Sequence, residues 1–92
     1  MRILIVEDEK NLCDMIGKSL HSAGYEVDLC YDGEDALEMI YAEKYDLIVL
    51  DLNLPGVDGM EILRELRKEN EETKVLILSA RSQIADKVDG LD

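Results

Sequence analysis

The stretch Asp46-Leu47-Ile48-Val49-Leu50-Asp51-Leu52-Asn53-Leu54-Pro55-Gly56-Val57-Asp58-Gly59 sets the fold class of this chain. Leu47 to Leu50 is continuously apolar rather than alternating, as a strand covered on both faces requires. The run ends abruptly on an acid, Asp51. Asp51 to Val57 reads as a loop containing the turn pair Pro55-Gly56. Asp58 is placed to cap a helix whose buried stripe is Ile62, Leu63 and Leu66. Strand, acid-tipped loop and helix in that order make one unit of an alternating β/α chain.

The same unit recurs on either side. Upstream, Arg2 to Val6 contains the continuous run Ile3-Leu4-Ile5-Val6. A helix from about Lys10 to Ala23 follows, with Leu12, Met15, Ile16, Ser19, Leu20 and Ala23 expected on one face, and Gly24 stops it. Glu26-Val27-Asp28-Leu29-Cys30 alternates instead, which predicts a half-exposed edge strand. Asp32-Gly33 is a turn and cap signal for a helix reaching about Lys44, with Ala36, Leu37, Ile40 and Tyr41 inward. Downstream, Glu69 to Thr73 is a polar connection and Val75-Leu76-Ile77-Leu78 is the last buried run. Ser79 to Ser82 reads as a loop, and Ile84, Val88 and Leu91 share the spacing of a final helix. Strands and helices in alternation predict a parallel sheet with right-handed crossovers. With the second strand at the edge, the first and third must be neighbours. The strand order is then 2-1-3-4 in a three-layer, flavodoxin-like α/β fold.

Composition narrows the function. The chain has 92 residues, room for one domain spanning 1–92. Its 47 % hydrophobic content can supply a core, which argues against disorder. Twenty-two acidic against ten basic side chains leave a net charge of −12. Such a surface repels phosphate backbones and anionic lipid, arguing against direct contact with nucleic acid or membrane. No apolar run approaches the roughly 20 residues of a membrane span, and no cleavable signal pattern opens the chain. Cys13 and Cys30 make no disulfide framework, and a reducing cytoplasmic location is the simplest expectation.

Polar residues fall in a telling place. Glu7-Asp8 follow the first strand, Asp51 the third and Ser79 the fourth. In a parallel sheet these positions share one edge, and the switch in strand order brings the first and third together in a crevice. Carboxylates crowded there repel one another, which a hard divalent cation relieves. The cluster therefore suggests a Mg2+ site with room for a phosphoryl group, since carboxylates can be phosphorylated as covalent intermediates and the metal would neutralise phosphoryl charge. Ser79 could hydrogen-bond a phosphoryl oxygen. Taken singly, Asp8 or Glu9 could serve the positive end of the first helix, Asp51 could be a loop acid and Ser79 a cap. Their recurrence after successive buried strands favours one shared site.

Four stretches carry a family resemblance: Ile3-Leu4-Ile5-Val6-Glu7-Asp8-Glu9, Asp32-Gly33-Glu34-Asp35-Ala36-Leu37, residues 46–59, and Val75-Leu76-Ile77-Leu78-Ser79-Ala80-Arg81. Together they resemble the response-regulator receiver domains of bacterial two-component signalling, in the style of receivers that accompany a winged-helix DNA-binding domain. The resemblance covers the entire chain. It implies that Asp51 is the phosphoacceptor, served by the phosphohistidine of a sensor histidine kinase. It implies Mg2+ held directly by Asp8, Asp51 and the main-chain carbonyl of Asn53, and through water by Glu7. Ser79 matches the switch hydroxyl, and Pro55 and Gly59 the residues that shape the loop after the acceptor. Asn53 and Arg81 match variable positions that tune phosphoryl lifetime.

Receivers have five βα units and this chain shows four. A further unit would take about 30 residues and would carry the family's lysine and aromatic switch residue. Lys87, on the last helix, is no substitute. The expectation is a receiver truncated of its fifth unit and impaired in its chemistry. Its fourth strand would offer an open apolar edge, and the sheet face around Val6, Val49 and Ile77 would be uncovered. Homo-oligomerisation through that edge or face, or a rearrangement of the last helix, is the corresponding expectation. The remaining distinctive residues have plain readings: His21 exposed late in its helix, Cys13 and Cys30 buried fillers, Met15, Met39 and Met60 helix packing, and Glu69, Glu71 and Glu72 a solvated connection.

Three functions are thus weighed: a phosphoacceptor signalling module, a signalling-incompetent fragment acting as a structural or oligomerising module, and a Mg2+-dependent phosphatase-like enzyme. The third is disfavoured because Asn53 stands where a general acid would follow the nucleophile.

Overall fold

A computed structural model describes residues 1–78. The expected alternation is present: β1 (Arg2–Val6), α1 (Lys10–Ser22), β2 (Glu26–Cys30), α2 (Gly33–Ala42), β3 (Leu47–Asp51), α3 (Gly59–Glu69) and β4 (Lys74–Leu78). All pairings are parallel, and the order is β2-β1-β3-β4. The final helix expected around Ile84, Val88 and Leu91 lies outside the described residues.

The continuous apolar runs are explained by their two faces. Leu4, Val6, Ile48 and Leu50 meet Ala36 and Ile40 of α2 and Ile62 and Leu66 of α3. On the other face Ile3, Ile5 and Val49 meet Cys13, Ile16 and Leu20 of α1. Helices on both sides make three layers, and every residue of the Ile3–Val6 run is fully buried. The alternating segment Glu26–Cys30 is an edge strand, as its pattern predicts.

Helix boundaries follow local chemistry. Asp32 accepts from the Asp35 amide at 2.8 Å and Asp58 from the Met60 amide at 3.0 Å, satisfying amides that a helix start leaves unpaired. α1 closes on Gly24, whose φ is +101°. The Gly24 amide reaches the His21 carbonyl and the Tyr25 amide the Leu20 carbonyl, the paired bonds of a Schellman cap. α2 ends at Ala42, two residues short of the expected Lys44, where the Glu43 backbone turns extended.

Several burial expectations need correcting. Met15, Ser19 and Ala23 are exposed, because the α1 stripe runs through Cys13, Ile16, Gly17 and Leu20 and is rotated from the expected face. Tyr41 is exposed rather than inward, since its hydroxyl donates to Glu65 of α3 at 2.8 Å. Met60 also faces outward. Val6 and Val49 do not share an uncovered face: they point to opposite sides of the sheet and are 0 % and 3 % exposed. Among the described residues β4 pairs only with β3, and Leu76 is 50 % exposed.

Candidate functional site

The site is built where β1 and β3 end side by side. Val6 pairs with Leu50, so Glu7 and Asp51 emerge from adjacent strands at the same level. This is the point where the chain's progression across the sheet reverses, the usual crevice of an open parallel sheet. One carboxylate oxygen from each of Glu7, Asp8 and Asp51 lies within 4.8 Å of the others. Glu7 and Asp51 are only 5 % and 6 % exposed, while Asp8 faces solvent. The three acids expected to converge therefore do so.

Their electrostatics are those of an uncompensated cluster. Burial pushes the Glu7 carboxyl up to about 7, and its hydrogen bond to Asp51 and the charge of Asp51 push it the same way. The Glu9 amide, 3.4 Å from Glu7 Oε1, pulls in the opposite direction. Among the described residues no lysine or arginine forms an ion pair with any of the three. An all-oxygen donor set with surplus negative charge is what Mg2+ takes, so these residues fit such an ion.

The loop after β3 is wound back over the acid. The Asn53 amide donates to Asp51 Oδ1 at 3.0 Å, a turn in which a side chain accepts from the backbone two residues on. The Leu52 amide donates to the Leu78 carbonyl at 3.2 Å, tying the loop to the end of β4. Gly59 opens α3 against this loop. A Cβ there would lie 2.7 Å from Leu52 Cα and 3.1 Å from the Asp51 carbonyl oxygen, which only glycine avoids. The backbone amides that hold Glu7 and Asp51 were not foreseen. The signal for the second was present in Asp51-Leu52-Asn53, since aspartate favours this turn. Ser79 and Arg81 lie outside the described residues. Leu78, the last described residue, is in register with Asp51.

Cys13 and Cys30 are buried free thiols, and His21 is exposed, as read from the sequence. No helix among the described residues is long and apolar enough to cross a membrane.

Comparison with known proteins agrees with this geometry. The family model described as "Response regulator receiver domain" matches residues 3–92. The transcriptional regulatory protein DltR of Streptococcus agalactiae is 47 % identical over 92 residues, covering all of this chain and 41 % of DltR. The chain thus spans about two fifths of the length of that curated relative. Among solved structures, the response regulator TrrA of Thermotoga maritima in complex with Mg2+-BeF superposes with a TM-score of 0.81 at 36 % identity, covering 89 % of this chain and 73 % of that one. TrrA in complex with the histidine kinase ThkA gives a TM-score of 0.78 at 39 % identity, covering 86 % and 68 %.

Proposed function

The chain belongs to the response regulator receiver domain family, and from that premise we propose that Asp51 accepts a phosphoryl group from a sensor histidine kinase in a two-component phosphorelay. The observation that carries the reading is the convergence of Glu7, Asp8 and Asp51, with the acceptor itself buried at a strand end. Receiver domains are signalling domains rather than turnover enzymes, and the role proposed for Asp51 is that of a covalent acceptor.

In the transfer, an Asp51 carboxylate oxygen forms a bond to phosphorus as the phosphohistidine P–N bond breaks, and the imidazole leaves with the bonding pair. Mg2+, when bound, supplies positive charge for the phosphoryl oxygens. We assign its direct ligands as Asp8, Asp51 and the Asn53 carbonyl, with Glu7 holding it through water. The Asn53 amide on Oδ1 helps hold the Asp51 carboxylate in place at the strand end. Ser79 is assigned to hydrogen-bond a phosphoryl oxygen and switch the surface. The kinase is the proposed partner, supported by the kinase complex of TrrA. With a net charge of −12, any DNA contact belongs to a different segment of a regulator.

Beryllofluoride with Mg2+ tests this reading. Saturable binding that Asp51→Asn abolishes supports it; absence of binding at millimolar Mg2+ refutes it and favours the signalling-incompetent alternative. Sustained phosphoester hydrolysis would instead favour an enzyme.

A second reading concerns assembly. Leu76, half exposed at the β4 edge, favours a homo-oligomer through that edge. Light scattering behind size exclusion tests it, and a monomer at tens of micromolar (about the range where weak dimers form) would refute it.

A further inference from the structure

Glu7, Asp8 and Asp51 stand on or beside strand ends, whereas Asn53 lies in the β3–α3 loop, whose position needs its own support. That support comes from α2. Gly33, its first residue, is buried against Val57 of the loop. A Cβ at position 33 would lie 2.7 Å from Val57 Cβ, 3.2 Å from the Val57 carbonyl oxygen and 3.2 Å from Ile62 Cδ1.

These neighbours cannot all turn away. Val57 Cβ is bonded directly to the backbone, so relief there requires the loop itself to move. The seat is firm from below as well, because Asp32 caps α2 through the Asp35 amide. Within the loop the Val57 amide donates to the Pro55 carbonyl at 3.1 Å, tying Val57 to Pro55, two residues from Asn53. A displacement of Val57 therefore travels toward Asn53.

We infer that Gly33 is a positioning residue for the metal loop: its bare Cα is the seat on which Val57 rests, and this contact sets where the Asn53 carbonyl is presented beside Asp51. The inference builds on the assignment of Asp51 and Asn53 as metal holders under Proposed function. Gly17 provides an internal control. A Cβ there also falls 2.7 Å from a neighbour, but that atom is Leu29 Cδ2, the far end of a flexible side chain on the α1 face.

The test is a Mg2+ titration of the 92-residue chain followed by amide chemical shifts of residues 52–59. Gly33→Ala is expected to weaken Mg2+ binding about tenfold, the scale of outer-shell changes at metal sites. Val57→Gly added to Gly33→Ala restores it, and Gly17→Ala leaves it unchanged. Unchanged affinity in Gly33→Ala, loss that Val57→Gly does not restore, or equal loss in Gly17→Ala overturns the inference while leaving the metal site standing. A wild-type chain that binds no Mg2+ overturns both. If Gly33→Ala does not fold, Val57→Ala thins the same contact without a clash. Weaker Mg2+ binding in that variant supports the inference, and unchanged binding overturns it.

Discussion

The Tyr45 hydroxyl donates a 2.7 Å hydrogen bond to Asp28 Oδ2, the same oxygen that the Arg2 guanidinium reaches at 3.0 Å. Tyr45 is buried just before β3 and Asp28 stands mid-strand on the β2 edge, with β1 between them in the sheet. Arg2 also faces Glu26 and Glu43 and lies over the Tyr45 ring, 5.8 Å from its centre. This network holds the sheet at the end opposite the Glu7, Asp8 and Asp51 cluster, and it puts a charge on the β2 edge, which discourages pairing there.

Tyr45→Phe removes one hydrogen bond to a charged acceptor and leaves the ring in place. Urea unfolding at pH 7 should show a loss of about 1–2 kcal/mol. A loss below the error of the measurement would mean that Arg2 alone satisfies Asp28.

The same contact predicts a pH dependence. The Tyr45 hydrogen bond above all holds Asp28 below its ordinary value of 3.8; burial opposes it, and the hydrogen bond and charge of Arg2 add to the lowering. A depressed folded-state value means that the stabilisation is present above the unfolded-state value and is lost as pH falls through the folded one. The stability advantage of the wild type over Asp28→Asn should be flat from neutrality down to about pH 5 and should shrink below the ordinary value. An advantage that grows on acidification would contradict this assignment.

Asp51→Asn should stabilise the chain in the presence of a chelator. It removes one of two buried, neighbouring carboxylates, whose repulsion contributes to the raised Glu7 value. The expected gain is about 1 kcal/mol. Millimolar Mg2+ should raise the unfolding midpoint of the wild type by ligand linkage and leave that of Asp51→Asn nearly unchanged. Equal Mg2+ shifts in both proteins would place the ion elsewhere.

Asp58→Ala should cost about 1 kcal/mol, the usual value of an N-cap, because Asp58 holds the Met60 amide at the start of α3. Amide exchange should speed up at Met60 and Glu61 before any other segment. Uniform acceleration across α1, α2 and α3 alike would show that the cap acts on global stability alone.

Much of the fold was legible because its information is local and periodic. Ile3–Val6 and Leu47–Leu50 are apolar without alternation, and Glu26–Cys30 alternates; those patterns already distinguish interior strands from an edge. Asp32 and Asp58 announce helix starts because a cap needs only an adjacent side chain. The candidate site was legible for a related reason. Glu7, Asp8 and Asp51 follow strands, and a parallel sheet places all strand ends on one side whatever the details of packing.

The sequence by itself therefore determined the β/α alternation, the strand order and which acids meet. Only the tertiary structure decided that Asp28 is shared by Arg2 and Tyr45, that Met15 and Tyr41 face outward, and that Gly33 seats Val57. The physical reason is one of range. Hydrophobic period and capping act between neighbours in the chain, but these pairings depend on the rotation of each helix and the level of each strand. Those are set by packing among residues that no local pattern connects.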